Sequence, residues 1–299
     1  MSKSPELEVA LKKFSEFANF DDSQGAIEGM RRNYERINDE FSPDEGVTFD
    51  RVSAGGVPAE MMSKADSDQS RVTIYVHGGG YVIGSVRTHR VLMSKLVTSS
   101  GGKVLGLEYR MGPENPFPAA VEDTIAAYRW LLSEGYNPAK ISIAGDSAGG
   151  GLVLAALVLI RYLGEPMAGA GVCFSPWVDF EGLGNSMTTN AEVDPVVAKE
   201  GLEFMVQLYI GDRDRRTPLA APLYADLHGL PPILVQVGGD ETLLDDSTRI
   251  SDKLKEAHVP VDIEVWDDMF HVFQAFAPIL PEGQRALDRA GAFLKEKTG

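Results

Sequence analysis

Short apolar runs alternate with longer amphipathic ones along most of this chain. Val72 to Val76, Val104 to Leu107, Ile141 to Ala144, Gly169 to Phe174, Ile233 to Val237 and Val261 to Trp266 read as strands, most of them buried. Between them, helical stretches run from Thr88 to Ser100, Ala119 to Ser133, Gly150 to Leu163, Asp245 to Ala257 and Pro281 to Lys297. Pro116 and Pro118 open the second of these. Such alternation builds a mainly parallel sheet covered on both faces, so the expected fold class is α/β.

Three regions depart from the alternation. Ser4 to Asn38 reads as two amphipathic helices, with Leu7, Ala10, Leu11 and Phe14 on one face and Met30 and Tyr34 four apart. Gly46 to Ser53 and Val57 to Met62 flank Gly55-Gly56 as a β-hairpin. Between Pro176 and Pro232 no clear strand is readable; Glu192 to Ile210 has helical spacing, with Val196, Val197, Phe204, Met205 and Leu208 apolar. The expected organisation is an N-terminal helical cap segment over residues 1–45 and a main α/β domain over 46–299, with a cap insertion at about 181–216. Leader and insertion both carry apolar faces that need a partner, and the carboxyl edge of the sheet is the expected one.

Composition narrows the functions. Lys and Arg number 28 against 44 Asp and Glu, a formal net charge of −16, which argues against nucleic acid and anionic membrane surfaces. One cysteine, Cys173, excludes an intramolecular disulfide and lies in an apolar strand as a core thiol. The first twenty residues hold no apolar signal core, and the run Gly149 to Ile160 is too short to span a bilayer. A cytoplasmic protein without a membrane span is expected. No His, Cys or carboxylate cluster has metal spacing, and no metal or cofactor is expected.

The chemistry centres on Gly145-Asp146-Ser147-Ala148-Gly149, set between an isoleucine-rich strand and an apolar helix. A Gly-x-Ser-x-Gly in that context is a nucleophile elbow, which lifts the serine above the sheet edge. Such a serine needs a base and an acid to orient it, in the order serine, acid, histidine. His258 ends a helix entering a strand, at the wrong end of the sheet, and His228 reads as a surface residue in a loop before a Pro-Pro pair; His271 leaves a strand at the carboxyl end and is the expected base. The acid should leave the strand Ile233 to Val237, where Asp240 stands first after Gly238-Gly239 and Glu241 is its rival. Asp245 and Asp246 read as first-turn acids of the next helix. His77-Gly78-Gly79-Gly80 follows a strand, so its amides can approach a ligand closely; two of them, with the Ala148 amide, could hold an oxyanion. His77 and Asp146 read as loop braces, Arg110 with Glu114 as a structural ion pair, and Trp177 as core or pocket wall.

These motifs, with Tyr109-Arg110-Met111-Gly112-Pro113-Glu114 and Pro116-Phe117-Pro118-Ala119-Ala120, occur in an order that resembles the bacterial hormone-sensitive-lipase family of α/β-hydrolases, in its Gly-Asp-Ser-Ala-Gly branch. The family usually has proline-leucine or similar where Glu241-Thr242 stands. The resemblance implies an α/β-hydrolase fold with a helical cap, a triad of Ser147, Asp240 and His271, and oxyanion donors at Gly79, Gly80 and Ala148. It implies a carboxylesterase for short- to medium-chain acyl esters, with a small-molecule substrate as partner, and it allows a homodimer. A related amidase or lactone hydrolase would share the triad. A non-catalytic binding relative would lack the histidine that His271 supplies.

Overall fold

A computed structural model describes residues 4–16, 25–38 and 40–299, with backbone alone at 37 and 38. Its strands are β1 (Thr48–Ala54), β2 (Val57–Ser63), β3 (Val72–Val76), β4 (Lys103–Leu107), β5 (Ile141–Asp146), β6 (Ala170–Phe174), β7 (Ile233–Gly238) and β8 (Val261–Trp266). The helices are α1 (Pro5–Ser15), α2 (Ala26–Asn38), α3 (Val86–Ser100), α4 (Ala119–Ser133), α5 (Ala148–Tyr162), α6 (Ser186–Thr189), α7 (Lys199–Ile210), α8 (Leu244–Glu256) and α9 (Pro281–Thr298). Residues 17–24 of the expected leader lie outside the described residues.

The strands form one sheet in the order β1-β2-β4-β3-β5-β6-β7-β8. The expected hairpin is β1 with β2, and β2 adds antiparallel to β4; from β4 to β8 every pairing is parallel. Buried side chains of α3 and α9 pack on one face of the sheet, and those of α4, α5 and α8 on the other. Strands β3, β5, β6 and β7 are buried along their whole length, which is why they read as unbroken apolar runs. Cys173 is a free, fully buried thiol in β6, and burial raises its pKa. No helix among the described residues is long and apolar enough to cross a membrane.

The insertion is less helical than its apolar spacing suggests. Helix α7 begins only at Lys199, and the segment before it is shaped by Asp194 and Pro195. The Asp194 carboxylate accepts the amides of Val196 and Val197 at 3.1 and 2.9 Å, and proline disfavours a helical residue before it.

Helix α5 crosses β3 at backbone distance. A Cβ on Gly149 would fall 2.0 Å from the Val76 carbonyl oxygen and 2.7 Å from that of His77; one on Gly145 would fall 2.5 Å from the same Val76 oxygen. Backbone carbonyls cannot swing aside as side chains do. Gly149→Ala is therefore expected to cost ~3 kcal/mol or more, at or above the top of the usual range for overpacked sites. Urea unfolding of the variant measures this, and a midpoint equal to that of the parent would contradict it.

Candidate active site

Four strand ends bring the site together at the carboxyl edge. The turn after β5 holds Ser147 at φ 52° and ψ −121°, a region that a residue with a Cβ rarely occupies. Its amide donates to the Phe174 carbonyl at 2.8 Å, and its own carbonyl accepts from Gly151 and Trp177. Ala148 begins α5, so its amide has no acceptor within the helix.

After β3, Gly79 and Gly80 both take positive φ, at 112° and 62°. A Cβ on Gly79 would sit 2.2 Å from the Ile83 carbonyl oxygen, and one on Gly80 would sit 2.7 Å from Cγ of Met205 on α7. Backbone approach makes glycine necessary at Gly79, and positive φ favours it at Gly80. The loop is braced from below by Asp146, whose Oδ1 accepts from the Tyr75 hydroxyl at 2.7 Å and the Gly78 amide at 3.1 Å. His77 is buried, its Nδ1 lies 2.7 Å from the Gly78 carbonyl, and its ring stacks on Tyr109. Burial pushes its pKa down to about 3, so it is a neutral brace, as expected.

After β8, His271 is buried and its Nδ1 lies 2.6 Å from Oε2 of Glu241. The other carboxylate oxygen of Glu241 accepts from the Gly238 amide at 2.6 Å and from the Ser175 hydroxyl at 2.7 Å. The carboxylate that reaches His271 is thus Glu241's, not that of Asp240, which sequence position placed first. Asp240 is half-buried, and its amide is bonded to the Met269 carbonyl. Hydrogen bonding of Gly238 to Glu241 folds the turn back so that the residue three after the strand end, not two, points inward. Asn190 fixes that turn from the insertion, donating to the carbonyls of Gly239 and Glu241 at 3.0 Å each.

Ser147, His271, Gly79 and Gly80 open onto one cavity of about 310 Å³. Its walls are mostly apolar: Phe14, Met30 and Phe41 come from the leader, and Val196, Leu202 and Met205 from the insertion. Trp177 also lines it, although its side chain is almost wholly buried, so both readings of that residue hold.

A family model for the α/β-hydrolase fold matches residues 73–275. An acetyl-hydrolase of Streptomyces hygroscopicus is 43% identical over 296 residues, covering 99% of this chain and 98% of its own. An esterase of Acinetobacter venetianus is 34% identical over 248 residues, covering 83% and 82%. The crystal structure of an esterase from the bacterial hormone-sensitive lipase family is 52% identical, with a TM-score of 0.97 over 100% of both chains. The chain belongs to the bacterial hormone-sensitive-lipase family of α/β-hydrolases.

In this hydrolase the environment of His271 sets its charge. Burial lowers its pKa, but Glu241 by charge and by hydrogen bond, with Asp194 and Asp146 behind it, outweighs burial and leaves the pKa above the ordinary histidine value. One expectation from sequence changes here. Arg110 pairs with Asp123 at 2.8 Å and with Glu122 at 3.2 Å, whereas Glu114 pairs with Arg31 of α2 at 2.8 Å. Ser175 escaped the sequence reading altogether: it donates to Glu241 and accepts the Val272 amide at 3.1 Å, tying the acid turn to the histidine loop. Nothing in Phe174-Ser175-Pro176 as a sequence signals this.

The geometry ranks the two acids. Glu241→Gln removes the charge facing the imidazolium and is expected to lower kcat by several orders of magnitude, about 10⁴ in the comparable serine protease case. Asp240→Asn is expected to change kcat little. With His271 as the base, activity is expected to rise as pH climbs through its raised pKa, and loss of the Glu241 charge to move that rise to lower pH. Steady-state pH profiles of both variants check the ranking and the direction.

Proposed function

We propose that this carboxylic-ester hydrolase works through an acyl-enzyme on Ser147, with His271 as base and Glu241 as the acid that orients it. The observation that carries the reading is the Glu241–His271 pair, which opens with Ser147 onto one apolar cavity. With Nδ1 given to Glu241, Nε2 of His271 is the nitrogen available to the serine. Ser147 Oγ attacks the ester carbonyl while His271 takes its proton. The amides of Gly79, Gly80 and Ala148 stabilise the oxyanion. The tetrahedral intermediate collapses, His271 returns the proton to the leaving alcohol, and water repeats the sequence to release the acid.

The leader and the insertion act as the cap in this reading, since both supply cavity wall. Phe14, Met30, Phe41 and Met205 offer an apolar slot that suits short- to medium-chain acyl groups and excludes water. The closely covering relatives are named acetyl-hydrolase and esterase, which agrees with a short acyl group. A cytoplasmic location and a homodimer belong to the same proposal; the buried thiol of Cys173 is compatible with the first, and sedimentation would test the second.

Ser147→Ala should lose the acyl-enzyme burst on p-nitrophenyl butyrate and fall by roughly 10³-fold or more in kcat, with an unchanged fold. Retention of parental rates would sink the assignment. Phe41→Ala widens the slot, so the preferred acyl length across acetate, butyrate, hexanoate and octanoate esters should move upward. An unchanged profile in that variant would remove the leader from the substrate wall.

A further inference from the structure

The reaction leaves a buried histidine–aspartate pair unused. His89, on α3, lies with its Nε2 3.3 Å from Oδ2 of Asp146, and both side chains are almost wholly buried. The same Nε2 is 3.1 Å from the hydroxyl of Tyr34 on α2. Tyr34, His89 and Asp146 all border the cavity that Ser147 faces.

The ring's protonation follows from its neighbours. Nδ1 of His89 lies 2.7 Å from the Thr88 hydroxyl and 3.2 Å from the Ser85 carbonyl. That hydroxyl also lies 2.8 Å from the Ser85 carbonyl, which only accepts, so it can donate there and face Nδ1 as an acceptor. In that arrangement both partners of Nδ1 accept, and a proton on Nδ1 is satisfied. At Nε2 the Asp146 carboxylate also only accepts, so a second proton is favoured there. The groups facing the ring from elsewhere are His77 after β3, stacked at 5.4 Å, Tyr75 on β3, and Glu108 after β4. Burial opposes the charge, but Asp146, Ser85 and Glu108 outweigh it and raise the pKa.

Helix α2 is seated on the loop that this pair supports. Arg31 donates to the carbonyls of Val82 and Gly112 at 2.9 and 3.0 Å, and Glu35 accepts from Ser85, the N-cap of α3. Asp146 in turn holds the Gly78 amide, next to Gly79 and Gly80. A carboxylate left unneutralised here would also oppose the negative charge that develops in the transition state.

We propose that His89 is a positioning residue for ester hydrolysis: an imidazolium that neutralises Asp146 beneath the glycine loop and, through Tyr34, makes the aim of that loop depend on the seated leader helix. This rests on the reading of Gly79 and Gly80 as oxyanion donors. His89 touches no reacting atom; it acts through Asp146.

The test uses the full-length protein and p-nitrophenyl butyrate, with His89→Leu, His89→Gln, Tyr34→Phe and the double variant Tyr34→Phe/His89→Gln. His89→Leu should lower kcat roughly 10- to 100-fold, less than outright loss of an oxyanion donor, with KM nearly unchanged. His89→Gln keeps a donor without the charge and should fall between. Tyr34→Phe should lower kcat several-fold alone and much less once His89 is Gln, because residues in one network do not add. Nitrogen-15 spectra of the parent at neutral pH should show both His89 ring nitrogens protonated. A parental kcat in folded His89→Gln, fully multiplicative losses, or a neutral His89 would each overturn the proposal. If His89→Leu does not fold, the Gln and Phe variants and the spectrum still decide. Ser147→Ala run in parallel separates the two readings: an active Ser147→Ala breaks the acyl-enzyme scheme, whereas a dead one beside an unaffected His89→Gln breaks this inference alone.

Discussion

The contact between α5 and β3 sets the rest of the site. Gly145 and Gly149 let the helix start directly against the Val76 carbonyl, where any Cβ would collide. That approach forces the turn so tight that Ser147 must take positive φ, a strain of ~1–3 kcal/mol. The strain persists because the neighbouring backbone over-determines the residue. Its amide is bonded into β6 and its carbonyl holds both Gly151 and Trp177. The serine is thus fixed from the helix, from the adjacent strand and from the first residues beyond that strand.

Two buried carboxylates then flank the serine, and each is matched by one imidazole. In its imidazolium form each ring faces its carboxylate across ~3 Å, and at an effective dielectric of about 20 the attraction is roughly 5 kcal/mol, comparable to the several kcal/mol needed to bury each ion. Neither pair is therefore a large net source of stability. What they supply is position, because removing one partner leaves a buried charge uncompensated, at ~3–5 kcal/mol. The pairs differ in how the rings are held. His89 has partners at both nitrogens, from Ser85 and Thr88 on one side and Asp146 and Tyr34 on the other. His271, among the described residues, is hydrogen-bonded at Nδ1 alone, so its other nitrogen can exchange a proton.

Much of this was legible in the sequence because it rests on local rules. Parallel strands buried on both faces leave apolar runs, and the elbow leaves its glycines, so Ser147, His271 and the glycine loop stand out without coordinates. What was not legible depends on chain reversal over a few residues. Asp240 and Glu241 are adjacent acids in one turn, and only the hydrogen bond from Gly238 to Glu241 decides which side chain faces His271. Arg110 and Glu114 look like partners at four-residue spacing, yet that stretch is not helical, and each turns to a different element. The apolar spacing from Glu192 is also not all helix, because Asp194 captures the two amides that follow Pro195. In each case a side chain competes for backbone or charge partners that periodicity does not register.

The leader reads as separate from the alternation, and its packing explains why it is nevertheless part of the site. Phe14 of α1 packs against Phe270 and Phe276, with ring centres 4.9 and 5.8 Å away, on either side of His271 in the chain. Arg31 and Tyr34 of α2 hold the other half of the site, at Val82 and His89. One short segment therefore buries its apolar face on the histidine loop and spends its polar side chains on the glycine loop. Phe14 and Tyr34, which line the cavity, thus also touch the histidine loop and His89. A wall of that kind cannot be loosened without loosening the geometry it covers, so access and alignment are coupled here by construction.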